Sequence, residues 1–231
     1  VLLTKNLGKV RGLAKGSKRM SPSAIAKFSG GIELLNSGQI CGVIKSGSTP
    51  GNASSGGGSG LATLTEWDLQ DDHHHLRVSL TAQRVAMFAA EASDALLADE
   101  DPHTGVFEAL KALLASLSSG DCWARLLMFQ WALLSDTGFQ PQLNEDVRTQ
   151  TPLTGARAYS FDPINGGLTT QENLADWRVR AETVDLLRRV AEAEDIDDAP
   201  ANSVKRAGKL LVTYTQHLTG KKLNTVSSLW P

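Results

Sequence analysis

The spacing of apolar residues changes once along this chain. In the first 45 residues it is short: VRGLAK and IELLNSGQICGVIK alternate Val, Ile and Leu with polar positions and break at glycine, which predicts β-hairpins. From Leu76 onward the step is three to four. Val78, Val85, Met87, Phe88, Ala92 and Leu96 predict a helix over 76–97. Val106, Phe107, Leu110, Leu113, Leu114 and Leu117 draw a cleaner stripe, opened by the Pro102/Thr104 region and stopped at Gly120. The segment DCWARLLMFQWALLSDTG is apolar nearly all round, with Asp121 placed to cap it and Gly138 to end it, as expected for the central helix of a bundle. Two further helices are predicted, over about 174–194 and 202–219, the last closed by Gly220. Between the third and fourth helices runs a long irregular segment. Within it Ala158, Ser160 and Asp162 alternate with Tyr159 and Phe161 ahead of a PINGG turn and Gly-Leu-Thr-Thr, so a hairpin is predicted there.

Composition divides the chain at the same place as the period. Residues 46–60, SGSTPGNASSGGGSG, offer almost no apolar area to bury and predict a flexible loop or linker. Two parts follow: a β module over 1–60 and a helical domain over 61–231, an α+β organisation. Charge splits likewise. Residues 1–60 carry eight Lys and Arg against the single acid Glu33, a net +7, while the remainder carries −9. That polarity points to an anionic partner for the first part, although uneven surface charge alone accounts for the same numbers. Lys111 and Ser116 break the longest apolar run, so no membrane span is expected. Two distant cysteines, Cys41 and Cys122, fit a reducing cytoplasm and supply no disulfide framework. A start at Val1 without a charged-then-apolar leader reads as a missing N-terminus rather than a processed secretory chain.

The densest candidate chemistry is GKVRGLAKGSKRM, residues 8–20, with five cations and three glycines. A phosphate loop needs Gly, four residues, then Gly-Lys-Ser/Thr; here Gly16 is followed by Ser17 and Lys18, and the spacing fails. The dinucleotide fingerprint fails as well. If 9–15 is one strand, Lys9, Arg11 and Lys15 share a face, with successive same-face residues about 6.6 Å apart, a spacing suited to a nucleic-acid backbone. Lys18 and Arg19 extend the track on the following turn. A solvated hairpin face explains the pattern equally well. Only Phe28 offers an aromatic platform in residues 1–60, so any binding there is expected to be electrostatic and salt-dependent.

Other candidates are thinner. His73, His74 and His75 point about 100° apart on a helix and cannot share one ion. The acids Glu192, Glu194, Asp195, Asp197 and Asp198 read as a solvated helix end, and Cys122 as an inert thiol in an apolar helix. No catalytic constellation is present in the sequence, so no enzyme activity, cofactor or metal is expected.

In order and spacing, LLTKNLGKVRGLAKGSKR, VFEALKALLASLSSG, LLMFQWALLSDTGFQPQL, YSFDPINGGL and LLVTYTQHLTGKKLNTVSSL resemble segments of the DNA repair protein RecO family. The resemblance implies an oligonucleotide-binding (OB) fold β-barrel at the N-terminus, incomplete at its start, followed by an α-helical domain with an inserted irregular hairpin segment. It implies a recombination mediator that binds single- and double-stranded DNA, anneals complementary strands without nucleotide hydrolysis, and with RecR assists RecA loading. Lys9, Arg11, Lys15, Lys18 and Arg19 then become the DNA-contact candidates. A further implied partner is the acidic tail of single-strand-binding protein, with Arg125 a possible contact, and the implied location is the bacterial cytoplasm, at the nucleoid. Many members hold the hairpin region with zinc on two Cys-x-x-Cys pairs. Here those positions fall on Asp146 and Thr149, and near Thr170 and Asn173. The resemblance thus implies a degenerate zinc-ribbon-like hairpin region over 138–175, expected without metal and held by packing of Tyr159 and Phe161. A second class also fits the residues: an adaptor whose basic face meets acidic protein tails without touching DNA. A nucleotide-binding enzyme is set aside by the failed phosphate-loop spacings.

Overall fold

The structure is a computed structural model and describes residues 1–17, 21–43, 61–118, 121–153, 155, 157–171 and 177–230. It is mixed α and β, with the strands at the front and a helical bundle behind. A short antiparallel hairpin, β1 (Leu2–Thr4) and β2 (Gly8–Val10), sets Leu2 opposite Val10 and Thr4 opposite Gly8. Gly8 takes φ +67°, the left-handed region that glycine enters without a Cβ penalty. Next come β3 (Gly12–Ala14), α1 (Pro22–Lys27), β4 (Phe28–Ser29), β5 (Ser37–Val43) and β6 (Ala62–Asp71). The long strand β6 organises them: β3 and β4 run parallel to it and β5 antiparallel. A register shift between Cys41 and Gly42 marks a bulge at Thr65, which moves the inward phase from Ala62 and Leu64 to Trp67. Leu64, Trp67 and Phe28 form a small separate core.

Two sequence expectations change here. The strand β6 lies beyond the boundary at residue 60, yet it pairs with β3, β4 and β5, so the sheet extends through Asp71. Val43 stands opposite Thr63, which places the composition break within the connectivity of one sheet rather than between two halves. Among the described residues these strands form a two-stranded and a four-stranded sheet that do not close into a barrel.

Behind the sheets, α2 (Leu80–Leu96) begins after a short 3-10 turn at His74–Arg77 and is capped by Ser79, whose Oγ accepts the N–H of Ala82. Val78, assigned to the helix stripe, lies before the helix and is exposed. The helix α3 (Thr104–Ser116) follows the predicted stripe, and α4 (Cys122–Asp136) opens on Asp121, whose carboxylate accepts the N–H of Trp123. The all-round apolarity of α4 has a clear cause. Leu127, Trp131 and Leu134 pack into one core while Leu126, Phe129 and Leu133 pack into another, so this helix separates the two.

The predicted hairpin is present as β7 (Ala158–Asp162) and β8 (Gly167–Thr169). A third strand joins it. Residues 177–180, expected as helix, form β9 (Trp177–Arg180) against β7, because Trp-Arg-Val-Arg alternates and turns Val179 inward before α5 (Ala181–Ala191) begins. The last long helix, α6 (Ala201–Thr219), ends at Gly220 with φ +61°, and α7 (Val226–Leu229) closes the fold. No helix among the described residues is long and apolar enough to cross a membrane.

Candidate nucleic-acid interface

The basic stretch is not one strand. Arg11 separates β2, which pairs with β1, from β3, which pairs with β6, so the common face expected for Lys9, Arg11 and Lys15 does not form. Each cation instead has its own setting. The Lys9 side chain is 9% exposed; its Nζ donates to the Asp94 carbonyl at 2.7 Å and lies 3.3 Å from the Asp94 carboxylate and 3.4 Å from Asp99 Oδ1. Arg11 is half exposed and donates from Nε to Asp99 Oδ2 at 2.7 Å. That contact raises the Arg11 pKa and, with Lys9 adding to it, holds the Asp99 carboxyl below its ordinary value. Lys15 is exposed and makes no ion pair with a described residue. Lys18 and Arg19 fall outside the described residues.

Asp94, at the end of α2, and Asp99, just beyond it, were not singled out from the sequence. Asp99 stands in the acidic run Ala98-Asp-Glu-Asp-Pro102 and Asp94 is a single acid in α2; nothing in either names a basic partner 85 to 88 residues away. The seat they provide is continuous. The N–H of Glu100 donates to the Lys9 carbonyl at 2.9 Å, the Thr104 hydroxyl to the Lys5 carbonyl at 3.2 Å, and Lys5 pairs with Glu108 at 2.8 Å. Gly8 sits against the backbone of Asp101, where a Cβ would collide with the carbonyl.

The remaining candidates separate. His73 is buried, with Nε2 3.3 Å from the Ser37 hydroxyl; His74 is exposed; His75 Nε2 lies 2.8 Å from the Leu114 carbonyl. Burial pushes the Cys122 thiol up, away from reactivity. Arg125 faces Asp197 at 3.4 Å. Arg189 pairs with Glu194 and Asp198 in the acidic helix end.

The three described positions of the implied zinc pairs, Asp146, Thr149 and Thr170, have a different chemistry. Asp146 is 1% exposed. Its Oδ1 accepts the N–H groups of Arg148 (2.9 Å) and Thr149 (3.1 Å), and its Oδ2 accepts the Thr169 hydroxyl (3.1 Å) and both the N–H (2.7 Å) and hydroxyl (2.9 Å) of Thr170. All five of these contacts donate a hydrogen to the carboxylate. That is the environment of an anion, and it does not fit a zinc ion; Asn173 lies outside the described residues. Burial pushes the Asp146 carboxyl up, but the converging donors outweigh it and hold it well below the usual carboxylate range. Asp162 repeats the arrangement, accepting from Ile164, Asn165 and the Arg148 guanidinium. Phe161 also stacks on Trp177 at 5.6 Å and meets Tyr214 edge-on at 5.1 Å.

Against known proteins, the model of the family described as "Recombination protein O C terminal" matches residues 77–226, which take in α2 to α6, the hairpin and the start of α7. The chain belongs to the RecO family. Proteins named DNA repair protein RecO are similar to it: one from Halorhodospira halophila is 28% identical over 71% of this chain and 68% of its own length. One from Rhodopirellula baltica is 27% identical over 84% and 69%, and one from Anaeromyxobacter sp. 26% identical over 96% and 84%. The last alignment carries the RecO likeness into the β module as well.

Proposed function

We propose that this RecO-family chain is a DNA-binding recombination mediator in recombinational repair. In this reading it anneals complementary strands without nucleotide hydrolysis and assists RecA loading together with RecR. The observation that carries it is the family match across residues 77–226. The basic β module, net +7 over residues 1–60, supplies the sequence-tolerant phosphate contacts such a role needs. We read the strands β1 to β6 as an OB-type module, and the helical part as the surface that receives RecR and the acidic tail of single-strand-binding protein. No bond-breaking chemistry is assigned to it, and its place of work is the cytoplasm, at the nucleoid.

Within the module the DNA contacts fall on Arg11 and Lys15, with Lys18 and Arg19 alongside them in sequence. Lys9 keeps the module on its acidic seat. The test is annealing of complementary oligonucleotides without ATP, with charge reversal at Arg11 and Lys15 together. Slower annealing by the double variant, with unchanged helical content, supports the reading; equal rates for both proteins overturn it.

A further inference from the structure

The two oxygens of Asp99 hold different cations. Oδ1 faces the buried Lys9 ammonium, while Oδ2 holds Arg11, whose side chain is 52% exposed. Lys9 is fixed from several sides: its ammonium is enclosed by Asp94 and Asp99, and its carbonyl accepts the N–H of Glu100. Among the described residues the Arg11 guanidinium pairs with Asp99 alone, in a solvent-accessible pair of the kind that is weak and readily exchanged. When Arg11 leaves, Asp99 keeps Lys9 beside it, so no carboxylate is stranded without a cation.

A carboxylate and a phosphate offer a guanidinium the same pair of anionic oxygens. We infer that Asp99 competes with the DNA backbone for Arg11, so that the resting protein withholds this phosphate-binding cation in addition to the enclosed Lys9. This rests on the DNA-binding reading above and adds regulation to it. Lys15, with no described acid against it, makes the first contact; Arg11 joins when a phosphate displaces Asp99.

The experiment is fluorescence anisotropy of a labelled oligothymidylate against the full chain over a range of salt concentrations. Asp99→Asn is expected to tighten binding about three- to tenfold at low salt and to steepen the slope of log affinity against log salt by about 0.7, the contribution of one more neutralised phosphate on a single strand. Glu100→Gln removes the same charge one residue away, without the Arg11 contact, and is expected to stay within about twofold of the parent. Adding Arg11→Gln to Asp99→Asn should cancel the gain. Equal effects of Asp99→Asn and Glu100→Gln, or a gain that survives loss of Arg11, overturn the inference. If Asp99→Asn does not fold, Arg11→Gln alone decides: it costs less affinity than Lys15→Gln if Arg11 is held back, and as much or more if it is not. Absence of salt-dependent binding by the parent and by every variant removes the DNA-binding reading itself and this inference with it. Binding by the parent with no effect specific to Asp99 removes only the competition.

Discussion

Asp146 and Thr170, 24 residues apart, are joined twice: the Asp146 carboxylate accepts both the backbone N–H and the side-chain hydroxyl of Thr170. This pair of hydrogen bonds ties the loop after α4 to the end of β8. Asp146→Asn replaces one acceptor oxygen by an NH2 group that faces donors. It should cost about 2–4 kcal/mol in denaturant unfolding, since charged buried hydrogen bonds are lost and their donors left unsatisfied. The folded pKa of Asp146 is depressed, so its contribution is present above the unfolded value of about 3.9 and is lost as pH falls toward the folded one. The gap between parent and variant should therefore hold steady above about pH 5 and narrow below about pH 4. A gap that stays constant down to strongly acidic pH would contradict the assignment.

Chelation gives a separate reading of the same region. With hydrogen donors filling the positions around Asp146, exhaustive dialysis against EDTA is expected to leave the melting temperature unchanged. A drop of several degrees on metal removal, restored by zinc, would show that metal does hold this region.

Gly8 and Lys9 anchor the N-terminal hairpin, and two substitutions separate their roles. Gly8→Ala places a methyl group against the Asp101 carbonyl in a left-handed conformation, and should release the hairpin from the helices. Lys9→Ala leaves Asp99 Oδ1 buried without its cation and should cost about 1–3 kcal/mol. In both variants hydrogen exchange at β1 and β2 should accelerate while α4 stays protected. Uniform acceleration across the chain would mean that the hairpin does not open as a separate unit.

At the other end, Glu91 on α2 accepts the N–H and side-chain amide of Asn224 and the N–H and hydroxyl of Thr225. Burial raises the Glu91 pKa, but these bonds outweigh it and the net shift is downward. Glu91→Gln should loosen the segment leading into α7 at a cost of about 1–2 kcal/mol at neutral pH, falling away as pH drops below about 4. Limited proteolysis near Asn224 is the direct measurement; parent and variant cut at the same rate would exclude the clasp.

The helices were legible in the sequence because their signals are local. Asp121 and Gly220 mark helix ends by their own side-chain and backbone chemistry, and the stripe from Val106 to Leu117 follows from a 3.6-residue turn whatever packs on it. The β7–β8 hairpin was legible for the same reason, its PINGG turn lying between its own strands. Strand β9 was not, since Trp-Arg-Val-Arg becomes a strand only through pairing with β7.

The charge polarity of the molecule, the order of most elements and the family resemblance were all readable along the chain, because they depend on residues near one another or on sums over many. The role of each cation came from folding. Lys9, Arg11 and Lys15 are alike in type and close in sequence, but the first is enclosed by Asp94 and Asp99, the second shares Asp99, and the third faces solvent. A charge takes its role from the charges brought within a few ångströms, and here chain folding brings them from about 90 residues away.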